Sequence, residues 1–175
     1  TKSMSSSISY WQSKIGQKQL VGVTGLGLSL FVLSHMLGYL LIFCGPETYN
    51  MYGHKLVSNP LIYLAEAGLL AAFFAHFSLA LKLSLENFKA RPEKYEVSAS
   101  GDKGTSLVQK TMWHQGIIIL VFLILHLITF KFGNYYEYTS VETGEVIRDL
   151  HQLIIEVFQS PIYTLGYIFA LIITF

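Results

Sequence analysis

The chain has 175 residues, 52% of them apolar, and a formal net charge of +1. That charge by itself says nothing about partners, and no nucleic acid is expected among them. The single cysteine, Cys44, excludes an internal disulfide, and the lack of a C-x-x-C-H motif excludes covalently attached c-type haem.

The hydrophobicity is gathered into long runs. No charged residue occurs over 19–46 or 111–130, and over 56–81 the only one is Glu66. Each run reaches the ~20 apolar residues that an α-helix needs to cross the hydrocarbon core. The fold class expected is all-α: an integral membrane helical bundle over 20–175, preceded by an N-terminal cytoplasmic segment over 1–19.

Taken in chain order, Ser5, Ser6, Ser7 and the residues before them read as a disordered tail. The apolar run near Leu20 is too long for a signal-peptide core and lacks a cleavage pattern, so it is kept as a helix. The first span is expected over about 20–44, stopped by Gly45-Pro46, with a short helix over 49–57 in the connection that follows. The second span covers about 61–85. Residues 88–105 contain Arg91-Pro92 and the Ser/Gly-rich stretch 98–104, a turn and a linker. The third span covers about 111–132.

Glu142-Thr143-Gly144, between Tyr138 and Val146, reads as a hairpin turn. After it Ile147, Leu150, Ile154, Ile155 and Phe158 recur at helical spacing against Arg148, Asp149, Gln152 and Glu156. An amphipathic helix over about 146–159 is expected, lying at the outer membrane interface or packed on neighbouring protein. Pro161 suits the first turn of a fourth span. That span has 15 residues, roughly 22 Å, before the sequence stops. It is expected to be cut short, in a longer chain with a fifth span.

Basic residues sort by side. Lys2, Lys14 and Lys18 precede the first span, and Lys82, Lys89, Arg91, Lys94, Lys103 and Lys110 surround the second connection. The remaining connections hold Lys55, and then Lys131 and Arg148 among Glu137, Glu142, Glu145, Asp149 and Glu156. Positive residues stay on the cytoplasmic side, so the N-terminus and the loop at Arg91 are expected there.

Three histidines, His35, His76 and His126, fall one to a span. Ionisable groups inside a membrane are expensive and usually functional. One buried imidazole could simply bond a neighbouring helix, whereas three favour a cofactor. His35 and His126 each lie about 15 residues, ~22 Å, from the inner end of an outward helix. His76 lies ~15 residues down an inward one. The first two are therefore level, as bis-imidazole ligation of an outer haem requires. His76 stands alone at an inner level, and its partner is expected on the fourth helix, near residue 176.

Ala72, His76 and Ala80 share a face by four-residue spacing, and Gly38 follows His35 by three; small residues there would let a porphyrin lie flat. Gly22, Gly25 and Gly27 read better as marks of close helix packing. A simple metal site at His35 and His126 lacks a carboxylate or thiol at their level. His54 and His151 read as surface imidazoles. His114, at the inner mouth of the third span, is a candidate for a haem propionate or quinone headgroup. Lys18, Lys82 and Lys110 could pair with propionates, although positive-inside topology accounts for them equally. Glu66, ~7 Å into the second span, could exchange protons with a quinone or snorkel to the interface.

These residues resemble a known family. Ser13-Lys14-Ile15-Gly16-Gln17-Lys18, Val23-Thr24-Gly25-Leu26, Ser34-His35-Met36-Leu37-Gly38, the run Gly45-Pro46-Glu47-Thr48-Tyr49-Asn50-Met51-Tyr52, and His126-Leu127-Ile128-Thr129-Phe130 resemble the cytochrome b membrane anchor of succinate dehydrogenases and fumarate reductases. The match is to the single-subunit, di-haem branch. The resemblance implies two b haems per full-length chain: His35 and His126 match the ligands of the distal haem, and His76 one ligand of the proximal haem. The family's fourth ligand would fall beyond residue 175. Tyr39 stands where the family usually has Asn. The resemblance also implies menaquinone, and flavoprotein and iron–sulfur subunits docked on the cytoplasmic face of a bacterial inner membrane. Whether such complexes pair into dimers stays open. Two other readings remain: a haem-b anchor of a hydrogenase or nitrate reductase, and a haem-free transporter or scaffold.

Overall fold

The computed structural model describes residues 10, 12–90 and 107–174. The expected tail at Ser5–Ser7, Lys2, and the linker with Arg91-Pro92, Lys94 and Lys103 lie outside the described residues. Helices dominate. Helix α1 (Lys14–Tyr39) passes into a 3-10 turn (Leu40–Cys44), and α2 (Pro46–Ser58) and α3 (Leu61–Lys89) follow. Helix α4 (Leu107–His126) passes into a π-turn (Leu127–Lys131). Strands β1 (Glu137–Thr139) and β2 (Val146–Arg148) form an antiparallel hairpin, and α5 (Leu150–Gln159) and α6 (Pro161–Thr174) complete the order.

Three helical stretches are long and apolar enough to cross a membrane: Lys14–Cys44, Leu61–Asn87 and Met112–Lys131. Their large side chains, among them Val23, Leu30, Leu64, Phe74 and Val121, stand exposed. A water-soluble surface rarely carries such extended apolar patches, so the fold is consistent with a multi-pass membrane protein. Helices α5 and α6 pass the same length and composition test only as a pair, bent by 92°.

Helices α1, α3 and α4 outrun their apolar stretches. Helix α1 begins at Lys14 and α3 continues to Lys89, because Lys, Gln and Glu are good helix formers; apolarity marks the membrane, not the end of the helix. The amphipathic helix starts at Leu150, not near 146, since Val146, Ile147 and Arg148 pair with Thr139, Tyr138 and Glu137. Asp149 separates the two elements as an N-cap, its carboxylate accepting from the Gln152 amide at 2.8 Å.

The chain divides into two compact units. The first comprises Thr1–Leu33 and Leu64–Trp113. In it the start of α1 meets the end of α3, where Lys14 pairs with Glu86. The second comprises Ser34–Tyr63 and His114–Phe175. Its core gathers Tyr49 and Met51 of α2, Ile147 of β2, and Leu153 and Ile154 of α5. The buried face of α5 thus packs on α2, the second of the two placements expected for it.

Polar side chains knit this core. Asn50, fully buried, donates to Asp149 Oδ1 at 2.9 Å and accepts from the His151 amide at 2.9 Å. Glu47, in the first turn of α2, accepts from Tyr138 Oη at 2.9 Å, Ser140 Oγ at 2.6 Å and the amides of Val141 and Glu142 at 2.9 and 3.3 Å.

Candidate functional site

His76 is half-buried on α3 and is the single histidine of the first unit. Its Nδ1 lies 3.1 Å from the Val21 carbonyl and 3.2 Å from Thr24 Oγ1 of α1. A carbonyl only accepts, so this Nδ1 carries a proton, and in the neutral imidazole Nε2 holds the lone pair. Thr24 is itself committed, its hydroxyl donating to the Leu20 carbonyl at 2.7 Å. Metal-ligating histidines are held in this way, donating through one nitrogen and ligating through the other.

Gly25 makes the approach possible. A Cβ there would sit 3.0 Å from His76 Cε1, whereas one on Gly22 or Gly27 would meet nothing within 4 Å. Of the three glycines, only Gly25 is a close-packing position, and what it packs is the imidazole.

In the second unit His35 of α1 and His126 of α4 come together, ring centroids 5.8 Å apart and planes at 84°. His35 is exposed and His126 half-buried. Four-residue spacing puts Phe122 and Phe130 on the same face of α4 as His126, with ring centroids 5.8 and 5.2 Å from it. Tyr167 of α6 closes the group: its hydroxyl lies 3.4 Å from His126 Nδ1, and its ring lies 5.0 Å from Phe122 and 5.1 Å from Phe158. Tyr39 flanks His35 at 6.3 Å. The space beside Gly38 is taken by Tyr52, whose hydroxyl would lie 2.6 Å from an added Cβ, so Gly38 makes room for a tyrosine.

The spacing of the two imidazoles can be compared with that of two imidazoles ligating one metal ion. Two metal–nitrogen bonds of about 2 Å each, plus ~1 Å from each nitrogen to its ring centre, ask for centroids roughly 6 Å apart. The observed separation is 5.8 Å. Tyr167 faces Nδ1 of His126, which leaves Nε2 on the side of the ring away from that contact. Among the described residues no group of three or more His, Cys, Asp or Glu side chains could hold a metal ion.

The other candidates are placed as follows. His114 is exposed on α4, and Lys18 is exposed on α1. Lys82 is exposed on α3, where it lines an open groove of about 400 Å³ with Phe77, Leu81 and Lys89. Glu66 is half-buried near the start of α3. His54 lies 3.3 Å from Ser58 Oγ and 3.7 Å from Glu145 on the surface of the second unit.

Tyr167 and Thr24 escape a reading that looks for ionisable groups, since each is an ordinary residue of an apolar run. The Phe122–His126–Phe130 spacing was the available signal.

Comparison of the chain with protein-family models, with curated proteins and with solved structures finds no match.

Proposed function

We propose that the chain is the membrane anchor and electron-transfer subunit of a succinate:quinone oxidoreductase, working between an iron–sulfur subunit and menaquinone. The observation that carries this reading is the approach of His35 and His126 from two candidate spans at 5.8 Å. They would hold an outer b haem. His76, with its proton fixed on Nδ1 by Val21, would supply one ligand to an inner haem. The family resemblance supplies the rest: the flavoprotein and iron–sulfur subunits on the cytoplasmic face, a bacterial inner membrane, a cytoplasmic N-terminus, and α6 as a fourth span.

When bound, the haems supply one-electron chemistry at iron. The chain's own residues do the holding. Val21 fixes the tautomer of His76 and, with Thr24, its orientation; the Tyr167 hydroxyl helps orient His126. Phe122 and Phe130 pack against the His126 ring, and Phe158 packs against Phe130 and Tyr167. Glu66 would exchange protons with the quinone.

A dithionite-reduced minus oxidised spectrum of purified full-length protein, with haem quantified, tests the reading. About two b-type haems per chain are expected. His35→Ala should lose the outer haem and keep the inner, and His76→Ala should lose the inner. A haem-free protein would overturn the electron-transfer function.

A further inference from the structure

We propose that Arg148 is a positioning residue for the His35–His126 site, acting through the wide turn that follows His126; this rests on the reading of that site as a haem site. Regular α-helical bonding in α4 ends at His126, and the next five residues form the π-turn, closed by the Phe132 amide on the Leu127 carbonyl at 3.0 Å. Wide turns of this kind are rare and concentrate at functional sites. The carbonyls at such a helix end have no amide within the helix to receive.

Arg148 supplies donors to carbonyls at this end and just beyond it. Its Nη2 donates to the carbonyls of Phe130, Gly133 and Asn134 at 3.1, 3.3 and 3.2 Å, and Nη1 to that of Lys131 at 3.2 Å. The cation also faces the negative end of the α4 dipole and lies 5.7 Å from the Tyr135 ring. A planar guanidinium with five N–H groups can serve several carbonyls at once, which a lysine ammonium cannot do in the same geometry.

Strand alternation delivers the side chain. Ile147, 2% exposed, points into the core of the second unit, so its neighbour Arg148 projects from the opposite face. The Asp149 amide on the Tyr136 carbonyl, at 2.8 Å, pins the end of the strand. Gly133 is required at this point of the turn, because a Cβ there would collide with the Thr129 carbonyl.

The route to the site runs through Phe130. Its carbonyl is held by Arg148, while its ring lies 5.2 Å from His126, 6.1 Å from Phe158 and 6.0 Å from Tyr167. Loosening the turn therefore displaces one wall of the box that orients the His126 imidazole.

Arg148→Gln, Arg148→Lys and Gly133→Ala, made in the full-length protein in lipid, provide the test. Amide exchange over 127–134 should rise roughly tenfold or more in Arg148→Gln, with Arg148→Lys between it and wild type. Gly133→Ala perturbs the same turn with Arg148 in place. The low-spin electron paramagnetic resonance signal of the outer haem, sensitive to the angle between imidazole planes, should shift in Arg148→Gln and in Gly133→Ala, with the inner signal unchanged. Unaltered exchange overturns the proposal. So does faster exchange with an unaltered outer signal, which leaves the haem reading standing. If wild type carries no haem, the haem reading fails separately. The ¹⁵N resonances of the His126 ring then decide: they move in Arg148→Gln if the turn positions the imidazole, and stay if it does not.

Discussion

Tyr167 touches His126 through a single polar atom, its hydroxyl 3.4 Å from Nδ1, so the hydroxyl can be removed without disturbing the rings around it. Tyr167→Phe keeps the packing on Phe122 and Phe158 and deletes only the group that orients the imidazole. Partners of this kind typically affect metal affinity by roughly 10–100-fold. Faster loss of the outer haem to an excess of haem scavenger is expected, with the inner haem retained; equal loss rates in variant and wild type would remove Tyr167 from the site. Glu47 offers a test by pH. Its carboxyl is held at about 2, well below the ordinary 4.5, chiefly by the Ser140 hydroxyl and then by the Val141 amide. A depressed carboxyl contributes stability above its ordinary value and loses it as pH falls through the folded value. Exchange of the Val141 amide should therefore quicken as pH drops from 4.5 towards 2, relative to its intrinsic rate, and Glu47→Gln should abolish that dependence. The three histidines were legible in the sequence because an imidazole in an apolar run is conspicuous. Tyr167 and Thr24 were not: their meaning lies in which helix each faces, and a tyrosine or threonine in a span has many ordinary uses; Gly25 was legible as a close-packing position, but not that it packs an imidazole.

At the scale of elements, periodicity and turn chemistry recovered the hairpin and the short helix after Pro46, and misplaced the start of α5. Val146, Ile147 and Arg148 fit a helical period by chance, and only their pairing with Thr139, Tyr138 and Glu137 makes them a strand. The junction is held by Asn50, which no local pattern could reveal because its partners are about a hundred residues away. Removing it leaves the Asp149 carboxylate and the His151 amide each short of a partner in a buried setting. Asn50→Ala should therefore cost about 1–3 kcal/mol, read as a lower denaturant midpoint for the second unit. The burial of Asn50 makes this a stringent case, since water cannot easily take the amide's place. A variant as stable as wild type would mean that α2 and α5 are joined by apolar packing alone. The π-turn was likewise invisible in sequence, where residues 127–130 continue the apolar run without interruption; the carbonyls that Arg148 holds there meet a side chain from another element.

For the whole molecule, length and apolarity made three spans legible, and the same criterion leaves the fourth dependent on how α5 and α6 are used: separately they fail it, and as a pair they are bent by 92°. Orientation rests on charge. Lys14, Lys18, Lys82 and Lys89 gather at one end of α1 and α3, and in the first unit Lys14 pairs with Glu86 at that end. The single cysteine allows a direct test, because Cys44 is exposed at the far end of the stretch Lys14–Cys44. If positive residues stay in the cytoplasm, a membrane-impermeant maleimide should label Cys44 in intact right-side-out vesicles without detergent. In a Cys44→Ser background, Ala90→Cys, just past the end of α3, should be labelled only after permeabilisation. The reverse pattern would invert the molecule and put the proposed docking face for the soluble subunits on the wrong side of the membrane. Labelling of both positions from outside would break the crossing of α3 itself, and with it the membrane span that carries His76.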